Sequence, residues 1–236
     1  MTVREPRKSL AARLRDVSER LSRRFGRPRR SAHETDPLGN LLLTILSQNT
    51  TDTNRDRAFA RLLERFPAVG ELARASPEEV EEMIRVGGLA RAKAKAILSA
   101  LARLRRERGE YSLDFLRPMP LDAARDYLTS FPGIGRKTAN VLLLFSFGKE
   151  AFPVDTHILR VAKRLALVPP SADLSRASRL LEPHVPRGEH MPLHIALIRL
   201  GREICRPRNP LCPECPLLPV CPEGRRRTRK HQAARP

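Results

Sequence analysis

Four cysteines, one lysine and one aspartate carry most of the chemistry this chain could perform. Cys205, Cys212, Cys215 and Cys221 are all the cysteines it has. Confined to one short stretch of a long chain, they point to metal ligation and away from a disulfide framework. Four thiolates make a tetrahedral sulfur site. Structural zinc usually takes two short Cys-x-x-Cys knuckles, and only Cys212 and Cys215 have that spacing. Intervals of six, two and five residues suit an iron–sulfur core better, with zinc still open on spacing alone. Arg206 and Arg208 in the first interval make the same loop basic.

Lys137 follows Arg136 at the start of an expected helix. The chain has 38 arginines against seven lysines, so a need for bare positive charge would ordinarily be met by Arg. A Lys points to an amine that can lose its proton. A helix N-terminus, an Arg neighbour and partial burial would all favour the neutral amine, which attacks carbon electrophiles to form Schiff bases. The plainer alternative is a surface phosphate contact. Asp155 stands in Pro153-Val154-Asp155-Thr156-His157, where an extended piece enters a helix. Its plainer role is an N-cap.

Between the expected helices 121–130 and 136–147 lies Phe131-Pro132-Gly133-Ile134-Gly135. Gly133 and Gly135 permit positive φ and close approach of a ligand to the backbone. The next helix then opens with unpaired N–H groups, a ready phosphate site. An ordinary helical hairpin would read the same way. The net charge of +19 tips the balance toward nucleic acid. Gly87-Gly88-Leu89 reads as a second, looser turn of this kind.

The elements that must position these residues are helical. Apolar residues recur at helical spacing almost throughout. Helices are expected at 9–25, 36–47 with Asp36 as cap, 52–66, 91–106, 121–130, 136–147, 156–167, 174–181 and about 193–204, and Ser76-Pro77-Glu78-Glu79 is a capping box. No segment alternates with period two, so the fold class is all-α. Hydrophobic residues make up 41% of the chain, enough for a packed core. No apolar run approaches the ~20 residues of a membrane span, and residues 1–14 lack the apolar core of a signal peptide. A soluble, cytoplasmic, DNA-associated protein is expected. The basic ends, residues 1–30 and the stretch after Cys221, read as solvated termini or as phosphate-attracting arms, with the two readings equal for the C-terminal stretch.

Taken together, the motifs resemble the endonuclease III family of iron–sulfur DNA glycosylase/lyases. The resemblance rests on Phe131-Pro-Gly-Ile-Gly-Arg-Lys-Thr-Ala-Asn140, on Val154-Asp-Thr-His157 and on the 6-2-5 cysteine spacing, in that order, and runs from about residue 36 to Cys221. It implies two helical domains with a DNA groove between them. A six-helix domain would span 31–148, and a cluster domain would combine 1–30 with 149–236. It implies Lys137 as the attacking amine, Asp155 as the essential carboxylate, and Cys205, Cys212, Cys215 and Cys221 as ligands of a [4Fe-4S] cluster. Gly133, Gly135, Arg136, Arg206 and Arg208 would meet phosphates, while Asn49 and Leu89 would fill the space left by a flipped base. The partner would be double-stranded DNA with a damaged base or abasic site, bound by a monomer away from any membrane.

Two departures bear on substrate choice. Asn49 stands where the family usually places a helix-filling Gln, and its shorter amide reaches less far. The stretch 113–117 is an insertion relative to shorter bacterial members. It resembles, with Leu46-Ser-Gln-Asn49 and Ala151-Phe-Pro-Val-Asp155, the glycosylase domain of plant 5-methylcytosine demethylases. The adenine glycosylase branch, which lacks the Lys, fits less well. Damaged, oxidised pyrimidines are the leading substrate class. The alternatives are a monofunctional mismatch or modified-pyrimidine glycosylase, in which Lys137 only contacts phosphate, and a non-catalytic DNA-binding helix–hairpin–helix protein.

Overall fold

The computed structural model describes residues 9–28 and 36–233. Arg4, Arg7, Lys8, Arg29, Arg30 and Arg235, counted above among the basic ends, lie outside them. Among the described residues there are twelve α-helices and no strand, so the all-α expectation is borne out. They are α1 (Leu10–Phe25), α2 (Pro37–Leu46), α3 (Asp52–Arg65), α4 (Val69–Leu72), α5 (Pro77–Ile84), α6 (Ala90–Arg108), α7 (Leu121–Thr129), α8 (Arg136–Phe145), α9 (Thr156–Arg164), α10 (Leu174–Leu181), α11 (His190–Glu203) and α12 (Pro222–Ala233). No described helix is long and apolar enough to cross a membrane.

The chain divides into two compact units, Arg30–Lys149 and Met1–Arg29 with Glu150–Pro236. We call them the hairpin unit and the cysteine unit. The helix starts follow local chemistry. Asp36 Oδ1 accepts from the Leu38 N–H at 3.1 Å with Pro37 at the first helical position. Thr51 Oγ1 caps α3 through Asn54 N–H. Ser76 and Glu79 exchange the two bonds of a capping box at α5.

In the hairpin unit, α7 and α8 are pinned by a buried polar bond. Arg125, 2% exposed, donates from Nε to Oδ1 of the fully buried Asn140 at 2.7 Å, and also meets Asp122. Leu128, Leu142 and Leu143 of the same two helices are buried as well. The inserted stretch 113–117 folds as a short 3₁₀ turn. It puts the Phe115 ring edge-on to Tyr127, 5.0 Å between centroids, and Tyr127 in turn meets Phe131. Arg103 of α6 lies over both Tyr127 and Phe131. The hairpin is therefore fastened to α6 from behind.

In the cysteine unit, α1 lays Leu14, Val17 and Leu21 against Ile158 and Val161 of α9, Leu181 of α10, and Leu193, Leu197 and Leu200 of α11 in one apolar core. Helices α9 and α11 cross so closely that a Cβ at Gly201 would lie 2.8 Å from the Cβ of His157.

Some helix ends differ from expectation. Helix α9 stops at Arg164, short of 167, because Ala166 turns to φ +53°. Helix α8 stops at Phe145, with Gly148 at φ +65° just beyond. Helix α11 begins at His190, a turn early, because Pro192 sits in its first turn, where no N–H is missed. The stretch after Cys221 is not a frayed tail; it forms α12.

Gly201→Ala should cost about 1–3 kcal/mol, since the added methyl meets a Cβ and not the movable end of a side chain. A fall in melting temperature of several degrees, read by circular dichroism, is the expected result.

Candidate active site and nucleic-acid interface

The hairpin unit displays its tight turn as expected in one respect and not in another. Gly133 adopts φ +80°, where only glycine is at ease. Gly135 does not: at φ −83° and ψ 171° it is ordinary extended backbone, acting as the N-cap of α8. Nothing lies within 4 Å of where its Cβ would be. Its use is openness. No side chain caps the helix there, which leaves room for an anion at the start of α8. Gln48 Nε2 donates to the Gly133 carbonyl at 3.1 Å and ties the hairpin to the loop after α2, a contact that its sequence context did not signal.

Lys137 occupies the second position of α8 and is exposed, where partial burial was expected. The reason is its place in the first turn and not helical phase: Asn140 and Leu144, three and seven residues further along the same side of the helix, are both buried. Arg136, beside it, is half-buried.

The loops that carry Asn49 and Leu89 belong to the same unit. Asn49 is exposed at φ +49° and Leu89 is 57% exposed at φ +50°. A left-handed Leu costs about 1–2 kcal/mol relative to ordinary backbone. Asn49 with Thr50, Thr51 and Asn54, and Val86 with Gly87 and Gly88, line one shallow hollow.

Asp155 belongs to the cysteine unit. The extended segment before it is buried from Ala151 to Val154 and held at both kinds of backbone group. The Phe152 N–H donates to Glu182 Oε2 at 2.8 Å, the Phe152 carbonyl accepts from Ser178 Oγ at 2.8 Å, and His194 Nδ1 lies 2.9 Å from the Pro153 carbonyl. Asp155 then caps α9, with Oδ1 accepting from the Ile158 N–H at 2.7 Å. The N-cap reading is therefore correct as far as it goes. The second oxygen, Oδ2, makes no hydrogen bond among the described residues, so the carboxylate retains an acceptor beyond its capping duty.

All four cysteines line one cavity, together with Arg164, Gly224 and Arg227. Burial, and then the neighbouring Cys205, Cys221 and Cys212, push the Cys215 thiol up to about 11. Burial raises Cys212 and Cys221 as well. Four thiols facing one cavity are a donor set that fits a metal group, and ligation would draw off their protons. Two N–H groups already point at sulfur: Arg164 Nη1 at Cys205 Sγ and the Gly224 N–H at Cys221 Sγ, each 3.2 Å. Arg164 also donates to the carbonyls of Arg206 and Pro207, and Arg160 to those of Gly201 and Cys205. Helix α9 thus carries Asp155 at its first end and holds the cysteine loop along its last two turns. Arg206 and Arg208 are both exposed on that loop, Arg206 with its Nε donating to the Glu203 carbonyl.

Residues 42–187 match the HhH-GPD superfamily of base excision DNA repair proteins. The endonuclease III of Thermotoga maritima is 35% identical over 214 residues, covering 91% of this chain and 94% of that protein. Among solved structures, a trapped endonuclease III–DNA covalent intermediate aligns with a TM-score of 0.76 at 32% identity, over 92% of this chain and 98% of that one. A thermostable thymine-DNA glycosylase shares the fold with the same TM-score at 21% identity. Identity above 30% sustained across nine-tenths of both chains is a likeness of whole proteins and not of one module: the chain belongs to the endonuclease III family of the HhH-GPD base excision repair superfamily.

Proposed function

We propose that this chain is a bifunctional DNA glycosylase and abasic-site lyase that removes damaged, oxidised pyrimidines. The observation that carries the reading is Lys137: an exposed amine at the opening turn of α8, directly after a hairpin whose helix N-terminus is left uncapped. A phosphate held by those N–H groups would bring the sugar of a flipped nucleotide toward the amine.

The chemistry then runs as follows. Lys137 Nζ, unprotonated, bonds to C1′ of the flipped nucleotide, and the bond from C1′ to the base breaks with its electron pair leaving on the base. Asp155 Oδ2 stabilises positive charge developing on the sugar and takes a proton from the Lys137 amine. The sugar ring opens to a Schiff base. Loss of a proton from C2′ then expels the 3′ phosphate, which nicks the strand. Asn49 and Leu89 occupy the space vacated in the duplex. Cys205, Cys212, Cys215 and Cys221 would hold a [4Fe-4S] cluster, which would supply structural ligation to the loop bearing Arg206 and Arg208. DNA with a damaged base or abasic site is the partner, bound by a monomer.

A panel of lesion-bearing duplexes, assayed with and without alkali, tests base preference and lyase activity together. Strand nicking without alkali is expected on oxidised pyrimidines. Lys137→Gln should abolish that nicking and the covalent trapping by borohydride, while DNA affinity stays within about tenfold because a single cation is lost. Full nicking by this variant would exclude the Schiff base and leave the monofunctional reading.

Asp155 demands a finer substitution, because it also caps α9. Asp155→Ser keeps a capping oxygen and removes the carboxylate. Base removal should fall at least about a hundredfold with the melting temperature nearly unchanged. Full activity with Ser in place would reduce Asp155 to a cap. Protein purified without oxygen should be yellow-brown and carry about four irons per chain with little zinc. Zinc in their place would overturn the cluster assignment.

A further inference from the structure

Lys93 is a second lysine set apart from the arginines by its surroundings. It lies on α6, one turn after Leu89, with exposed Arg91 and Lys95 on either side, yet it is itself only 2% exposed. Its ammonium donates to two backbone carbonyls, Leu46 at 2.7 Å and Gly87 at 2.9 Å. No carboxylate pairs with it among the described residues. Burial pushes the amine down from its ordinary value, with no neighbouring charge to oppose the shift.

A buried ammonium without a counter-charge is a poor way to stabilise a core, since a hydrophobic residue of similar volume usually does as well or better. What a Lys supplies, and a hydrophobic residue does not, is a link between specified atoms. The two carbonyls are telling. Leu46 ends α2, three residues before the left-handed Asn49; Gly87 ends the 3₁₀ turn, two residues before the left-handed Leu89. The two loops line one hollow, and Lys93 is the cross-tie beneath it. A Cβ at Gly87 would lie 3.9 Å from Nζ and 3.4 Å from the Ala58 Cβ, so the seat around the ammonium is closely fitted.

We propose that Lys93 is a positioning residue for helix opening: by holding the Leu46 and Gly87 carbonyls on one buried ammonium, it sets Asn49 and Leu89 together as a single rigid wedge. The proposal rests on the reading that these two side chains enter the duplex. Lys93 touches no substrate; it acts through the loops. Its effect is therefore felt where DNA must be distorted and not where DNA is merely held.

The test uses a duplex with a tetrahydrofuran abasic analogue opposite 2-aminopurine, whose fluorescence rises when it is unstacked. Lys93→Met keeps the length and apolar stem and removes the donors. It should bind this duplex within about threefold of the parent protein, since no phosphate contact changes, while losing most of the fluorescence rise. Leu89→Ala should lose a similar share, and Lys93→Met should add little on the Leu89→Ala background, because both act on one device. Lys93→Gln, which can satisfy one carbonyl, should fall between parent and Met and provides a second, milder variant should Met fold poorly. An undiminished rise in both Lys93 variants, with Leu89→Ala impaired, would overturn the proposal and leave the wedge standing. No effect of either Leu89→Ala or Asn49→Ala would overturn the wedge reading itself. Losses from Lys93→Met and Leu89→Ala that simply add would show that Lys93 is a general staple.

Discussion

The hydrogen bond from Arg125 Nε to Asn140 Oδ1 is the constraint on which the hairpin unit depends. Both groups are buried, so neither can turn to water if the other moves. Leaving one partner of a buried hydrogen bond unsatisfied costs about 1–3 kcal/mol, which strongly favours this relative setting of α7 and α8. The turn between them has little freedom left. Gly133 must go to positive φ, Gly135 must start the helix without a side-chain cap, and Lys137 must stand exposed in its first turn. The aromatic stack of Phe115, Tyr127 and Phe131 with Arg103 then fixes the pinned pair against α6. In a chain so poor in aromatics, three of its ten aromatic rings are gathered at this single place.

The cysteine unit meets a comparable demand by other means. Its key segment is a short extended run with no sheet to join, so each backbone group needs its own partner. Ser178, Glu182 and His194 provide them. The loop that follows α11 is likewise too polar to collapse unaided, and Arg160 and Arg164 gather its carbonyls before any metal group is considered. Arginine's fixed fork of donors suits this task better than a lysine would.

Much of this was legible in sequence, and the reason is local chemistry. Asp36 with Pro37, and Ser76 with Glu79, announce helix starts because the cap forms within one turn. The helical periods of α1, α9 and α10 are strong enough to reveal their buried faces. What could not be read depends on partners distant along the chain. Lys93 and Lys95 are indistinguishable as letters; only the placement of Leu46 and Gly87 makes one buried and the other exposed. Partial burial is expected of Lys137 at a helix start beside Arg136, yet its place in the first turn leaves it exposed. Gly135 had the right residue for a different reason than the one its type suggested. The stretch after Cys221 reads equally as a solvated tail or a phosphate-attracting arm, but no letter in it announces the fastening of its first turn: Glu223 pairs with Arg226 and Arg227, and the Gly224 N–H reaches Cys221.

Leu89 carries a double penalty: an apolar side chain in water and a backbone conformation that disfavours any branched residue. Glycine, asparagine or aspartate would relieve the backbone, and the last two would also hydrate more easily. A laboratory search for heat-resistant variants would therefore drift toward those residues at position 89, away from the one present. With the proposed wedge role, the position would mark a site where selection for a tougher enzyme and selection for an active one pull in opposite directions.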